Sequence, residues 1–302
     1  EAMKTDPLTQ PILKEMTDGK GNPVVCDQVW ISYFTGGGDN MGEGFGKLTA
    51  GFGSRRNPAE AGDKIGPEFT FGIYMQKALN EPVLIIKTAW GGKSIHTDFR
   101  PPSAGPYPFG EQELENFKKR GKNLEEVKAQ KQEQTGRFYR LTIEHVRRVL
   151  KDIKRVYPSY NSKDGYELAG FAWFQGWNDM VAGGTYPTRG QPGGYDAYSE
   201  CMAHFIRDVR TDLKAPDMKF VIGVMGVGGP LEKYASQRYV PIHGSFREAM
   251  AAPATMPEFK GNVAAVRTAP FWDDRLQRME DNQGKVKQMA GFLKSKHKDH
   301  PN

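Results

Sequence analysis

Two short segments place potential donors for an oxygen atom directly after apolar runs. In TAWGGKSI, residues 88–95, the pair Gly91-Gly92 follows a stretch containing Val83, Leu84, Ile85 and Ile86. Glycine lets a backbone turn sharply and leaves an N–H uncovered. In FAWFQGWNDM, residues 171–180, four apolar residues pass straight into Gln175, Gly176, Trp177, Asn178 and Asp179. Gly, Asn and Asp are common turn formers, so one reading is a plain turn. The other is that the Asn178 amide is held at a strand end as a donor. A backbone N–H and an Asn amide at neighbouring strand ends would form an oxyanion hole. Such donors contribute roughly 3–4 kcal/mol each when aimed at a developing alkoxide. Either segment alone is a weak signal, because a double glycine after a strand usually makes only a tight turn.

Both segments need a parallel sheet to position them. Five stretches rich in β-branched and aromatic residues read as strands: 28–34, 82–90, 168–174, 218–227 and 261–269. Continuous apolar runs suit strands buried on both faces. Helical patterns lie between them. One starts at Pro67 and stops at Asn80-Glu81-Pro82; another places Leu141, Val146, Leu150 and Ile153 near one face; a third runs over 195–213. The alternation predicts an α/β fold, a doubly wound, mostly parallel five-stranded sheet flanked by helices. In such folds ligands bind at the carboxyl ends of the strands. No repeat or low-complexity linker divides the chain, so residues 1–302 read as a single domain with a long insertion at about 96–135. That insertion and the Gly/Pro-rich stretch 182–195 both emerge at the carboxyl end of the expected sheet.

Composition excludes several classes. A chain with 38% hydrophobic and 26% charged residues is that of a soluble globular protein. It has no run of the roughly 18 apolar residues that a membrane helix requires. The net charge of +6 is spread out, and its local excesses carry acids and amides without interleaved aromatics. Solvated helix faces are therefore expected, not a nucleic-acid surface. Cys26 and Cys201 are too few for a disulfide scaffold, and no CxxC pair suggests zinc.

The two segments, in this order, resemble the SGNH hydrolase superfamily, and within it the bacterial sialate O-acetylesterase-like carbohydrate esterases. That family has four short blocks, which supply a Ser nucleophile, a Gly N–H, an Asn amide and an Asp-x-x-His pair. KTAWGGKSI is similar to the second block, and WFQGWND to the third in its Gly-x-Asn-Asp form. Many members carry Glu where this chain has Trp177, so no role of that Glu carries over. DFRPPSAG, residues 98–105, also resembles bacterial members. The resemblance spans about residues 28 to 275 and implies an SGNH/flavodoxin-like three-layer sandwich.

The first block, Gly-Gln-Ser-Asn-Met in the family, is met here only by GGGDNMGEG, residues 36–44. One alignment puts Asp39 in the serine position, where a carboxylate would repel the oxyanion and could not be activated by His. The other makes this stretch a Gly-rich turn, with the serine block upstream of Glu1. A nucleotide loop is a third reading, but it lacks the GK[ST] ending. None of His96, His145, His204, His243, His297 and His300 has an Asp three positions earlier. His145 and His204 read as helix-face residues, and His96 as a possible substrate contact. Both termini are expected to be incomplete.

The resemblance implies a carboxylic ester hydrolase that removes O-acetyl groups from sugars or polysaccharides without a metal or organic cofactor. Gly91 (or Gly92) and Asn178 would hold the oxyanion, and Trp90, Lys93, Arg100, Gln175 and Trp177 would contact the substrate. The partners expected are an O-acylated sugar, with no nucleic acid and no membrane. A periplasmic or secreted location is expected if a signal peptide precedes Glu1. The alternative is a non-catalytic carbohydrate-binding protein with Asp39 as a relic.

Overall fold

The computed structural model describes residues 2–37, 40–55, 57–60, 62–234 and 237–296. The chain divides into two compact units, Glu1–Ala169 with His204–Met218, and Gly170–Ala203 with Lys219–Asn302.

The first unit begins with short helices α1 (Ala2–Thr5) and α2 (Gln10–Met16). Strands β1 (Val29–Thr35) and β2 (Gly42–Lys47), helix α3 (Pro67–Leu79) and strand β3 (Val83–Thr88) follow. Helices α4 (Glu111–Lys119), α5 (Leu124–Gln134) and α6 (Arg137–Lys151) complete it, so α4 and α5 make about half of the 96–135 stretch helical. The strands order as β2-β1-β3. β1 pairs with β3 in parallel, Val29 opposite Val83, and with β2 in antiparallel fashion, Trp30 opposite Lys47.

The period of two along β1 sorts its side chains. Val29, Ile31 and Tyr33 face a cluster with Leu48, Phe52, and Phe69 and Ile73 of α3. Trp30 packs with Val149 of α6 and with Val156, flanked by Leu84 and Ile86. Helices thus cover both faces, and all seven β1 residues are buried. Gly72 lets α3 lie this close, because a Cβ there would sit 2.1 Å from Leu48 Cδ2 and 3.2 Å from Val29 Cγ1. Both neighbours are fully buried and cannot move aside. Gly72→Ala is therefore expected to destabilise the protein by about 1–3 kcal/mol, despite alanine's helix advantage of roughly 1 kcal/mol. Urea unfolding checks the sign; a stabilised variant would mean that the helix shifts freely.

β2 overlaps the Gly-rich segment for which the sequence offered a relic serine block, a turn or a nucleotide loop, but no strand. Glycines at 42, 44 and 46 hide the strand signal, yet Gly44 is what the local packing needs. A Cβ there would meet the Pro58 carbonyl oxygen at 2.4 Å.

The second unit comprises β4 (Gly170–Trp173), helix α7 (Trp177–Val181), the first half of α8 (Asp196–Asp212), β5 (Lys219–Val224), α9 (Val240–Ala251), β6 (Val263–Arg267) and α10 (Asp274–Lys296). Its sheet is fully parallel, in the order β4-β5-β6. The second half of α8 belongs to the first unit, where the Tyr139 hydroxyl donates to Asp212 Oδ2 at 2.6 Å. The five expected strands all form, but with β2 they make two three-stranded sheets and not one sheet of five. Hydrophobic patterning marks where strands lie; pairing partners depend on long-range contacts that patterning does not encode.

Among the described residues no helix is long and apolar enough to cross a membrane, and no group of three or more His, Cys, Asp or Glu could hold a metal ion. Cys26 and Cys201 are buried.

Candidate active site

In the first unit, the chain leaving β1 and the chain leaving β3 border a cavity of about 540 Å³. Thr35, Gly36 and Gly37 line it from β1, and Trp90, Gly91 and Lys93 from β3. Gly36 has φ +96, and a Cβ there would collide with the Asn40 carbonyl oxygen, so the turn after β1 requires glycine. After β3 it is Gly92, with φ +73, that makes the turn. The N–H groups of Gly91 and Gly92 donate to nothing among the described residues. Asp98 folds the following loop back by accepting from Ser94 N at 2.9 Å and from Ser94 Oγ at 3.2 Å.

Trp90 is wedged edge-on between Phe34 and Phe138, at ring distances of 5.7 and 4.9 Å. Lys93 lies 4.3 Å above the Phe138 ring and 3.5 Å from Asp98. Arg55 and Arg137 also line the cavity, and no motif had singled them out. Arg137 is exposed and forms no ion pair among the described residues. Arg100 does not line the cavity. Its guanidinium holds the carbonyls of Gly105 and Ala104 at 2.9 and 2.6 Å, which fixes the loop after Phe99. His96 is buried against Tyr107, and burial, with Arg100 and Lys131 nearby, pushes its pKa down to about 4.

In the second unit, the QGWND segment is more than a turn. Gly176 packs against α9, where a Cβ would meet Phe246 Cε1 at 2.8 Å. Trp177, half exposed, opens α7. Asp179 is fully buried and accepts from Gln175 Nε2 at 2.6 Å and from the Tyr186 hydroxyl at 3.0 Å. Burial and the Asp179 carboxylate raise the Tyr186 pKa, which keeps that hydroxyl a donor. The Tyr195 hydroxyl caps α7 through the Met180 carbonyl at 2.6 Å. Gln175 thus positions Asp179. Asn178, between these anchors, is partly exposed, and its side-chain amide makes no hydrogen bond among the described residues. Asp179→Ala removes the acceptor of the buried Tyr186 hydroxyl and of the partly buried Gln175 amide and is expected to destabilise by about 2–4 kcal/mol, read as a lower urea midpoint. A change below 0.5 kcal/mol would mean that the network is dispensable.

Two serine–histidine contacts occur among the described residues, and neither borders the cavity. Ser103 Oγ lies 2.7 Å from His204 Nδ1 on an exposed turn. Ser32, on the α6 face of β1, lies 2.8 Å from His145 Nε2, and both residues are buried. Arg148 reaches His145 Nδ1 at 2.7 Å, and an arginine can only donate. His145 Nδ1 is therefore the acceptor, and Nε2–H donates to Ser32 Oγ. The Ser32 hydroxyl in turn donates to Glu43 Oε1 at 2.6 Å, and Arg155 clasps both Glu43 oxygens at 2.8 Å. Proton donation runs from histidine to serine, the reverse of nucleophile activation. Burial pushes the His145 pKa down to about 4, aided by Arg148 and Arg155 and opposed by Glu43. Burial works to raise the Glu43 pKa, but the hydrogen bonds from Arg155 and Ser32 outweigh it and hold the carboxyl low. The helix-face reading of His145 missed this network because its hydrogen-bonded partners stand up to 113 residues apart in the chain. Asp39, His297 and His300 lie outside the described residues.

Two solved structures are similar to the chain. A protein from Arabidopsis thaliana is 14% identical, with 79% of this chain and 68% of that one covered and a TM-score of 0.41. A structure described as a novel carbohydrate acetylesterase from Xanthomonas citri is 14% identical, with 88% of this chain covered and a TM-score of 0.42. The chain spans 46% of that second protein's length. No curated protein sequence matches. The profile of the family described as carbohydrate esterase, sialic acid-specific acetylesterase, matches residues 53–254. This is more than half of the chain and contains both the double glycine and the Gly-x-Asn-Asp segment. The chain belongs to the sialic acid-specific acetylesterase family of carbohydrate esterases.

Proposed function

We propose that the protein is a carbohydrate O-acetylesterase of the SGNH type, acting as a single hydrolase-type domain through a serine nucleophile. The oxyanion donors are the Gly91 N–H and the Asn178 amide, and Trp90, Lys93 and Trp177 contact the acylated sugar. The observation that supports this most is the state of the two donors. Each follows a parallel strand, each is fixed by a neighbouring anchor, and each is uncommitted, whereas the adjoining Asp98, Gln175 and Asp179 are engaged. Donors held in place without a partner are what stabilisation of a developing oxyanion requires. The three cations at the cavity, Arg55, Lys93 and Arg137, suit an acidic sugar.

The position of the two serine–histidine contacts supports a second reading, a non-catalytic carbohydrate-binding protein with Asp39 in the serine position. One experiment separates the two. Acetate release from O-acetylated sialic acid and from acetylated neutral sugars is measured beside equilibrium binding of the same compounds. Turnover supports the esterase; saturable binding without turnover supports the binding protein. The esterase reading fails if neither acetate release nor binding occurs.

A further inference from the structure

A second pocket lies in the second unit, at the carboxyl ends of β5 and β6. It has a volume of about 260 Å³, with walls from Met225, Pro230, Leu231 and Pro270 and Arg247 at its base. Arg247, on α9, is only 5% exposed. Its Nη2 donates to the Val227 carbonyl at 2.9 Å and to the Tyr234 hydroxyl at 3.0 Å. Nε is buried and donates to nothing among the described residues, and no carboxylate there pairs with the charge. The adjacent Glu248 is taken by Arg267 at 2.9 Å, and Glu232, which also lines the pocket, is exposed.

Other arginines of this protein behave differently. Arg210, also buried, directs both Nε and Nη2 at the Met218 carbonyl, and Arg100 directs all three nitrogens at loop carbonyls. The Tyr234 ring, 5.9 Å from the guanidinium carbon, offsets part of the Arg247 charge, but no carboxylate among the described residues neutralises it, which is costly for a buried ion. A carboxylate entering the pocket would neutralise the charge through Nη1, which donates to nothing among the described residues, whereas Nε is closed off from solvent. The position at the carboxyl ends of parallel strands is where open α/β sheets receive ligands.

We propose that this pocket is a ligand site for a small monocarboxylate, its charge held by Arg247 and its apolar body lying among Met225, Pro230, Leu231 and Pro270. Met225 is a built-in reporter. In the full chain labelled with 13C-methyl methionine, the Met225 resonance is assigned with Met225→Leu and followed at constant ionic strength. Sodium butyrate should shift it saturably. Butyramide, which keeps the shape without the charge, should bind at least about ten-fold more weakly, as should butyrate to Arg247→Gln. Inorganic phosphate, charged but without an apolar body, should also fall well short of butyrate. Leu231→Trp fills the pocket with Arg247 intact and should abolish the shift, which keeps the test decisive if Arg247→Gln does not fold. No saturable shift with butyrate overturns the proposal. So does equal binding of butyramide or phosphate, or undiminished butyrate binding to folded Arg247→Gln or to Leu231→Trp.

Discussion

Between pH 6.5 and pH 4 the protein is expected to lose about 3 kcal/mol of stability for each of two buried histidines, His145 and His96. Both have folded-state pKa values pushed down to about 4 from 6.5. Above pH 6.5 each is neutral whether folded or unfolded, and its contribution to the pH dependence is flat. As pH falls below 6.5 the unfolded chain takes up the protons first, so stability drops until the folded form protonates near pH 4. Glu43 acts in the same direction. Its depressed pKa stabilises the fold above the unfolded value, and that contribution disappears as pH falls through the folded one. Urea unfolding at pH 7 and pH 4.5 reads the effect. His145→Gln keeps a donor for Ser32 and an acceptor for Arg148 but cannot be protonated. It should remove about half of the histidine-dependent loss, and an unchanged pH slope in this variant would exclude His145 as its source.

The second large effect concerns the chemistry. Asn178→Ala is expected to slow acetate release by about 10²–10³-fold, with KM and Tm close to those of the unsubstituted chain. The expectation rests on the contrast between neighbours. Asp179 is buried in hydrogen bonds, while the Asn178 amide is committed to nothing among the described residues. Removing an uncommitted group should leave the fold intact. Removing a group that acts only on the developing oxyanion should lower kcat without changing substrate affinity. A large fall in Tm would assign Asn178 to packing, and an unchanged kcat would remove it from the oxyanion hole.

The sequence by itself determined five of the six strands, the α/β alternation and the family. Val83 to Ile86 and Phe171 to Trp173 read as strands on their β-branched and aromatic content, and both form strands, although Ala172 is exposed where burial on both faces was expected. Gly91, Gly176 and Asn178 could be proposed as site residues from the sequence because the motifs that contain them are defined by local backbone and adjacent residue types. What only the tertiary structure decided depends on residues far apart in the chain. It turned GEGFGK into a strand, because Gly44 makes room for the Pro58 carbonyl. It assigned Arg100 to loop carbonyls and Gln175 to Asp179, tasks invisible in a motif that records residue type but not direction. It joined Ser32, Glu43, His145 and Arg155 into one partly buried network across more than a hundred residues, with proton donation set by Arg148, which can only donate. Spacing carries local geometry, but the burial that shifts a pKa or leaves a donor unused exists only once distant elements have packed.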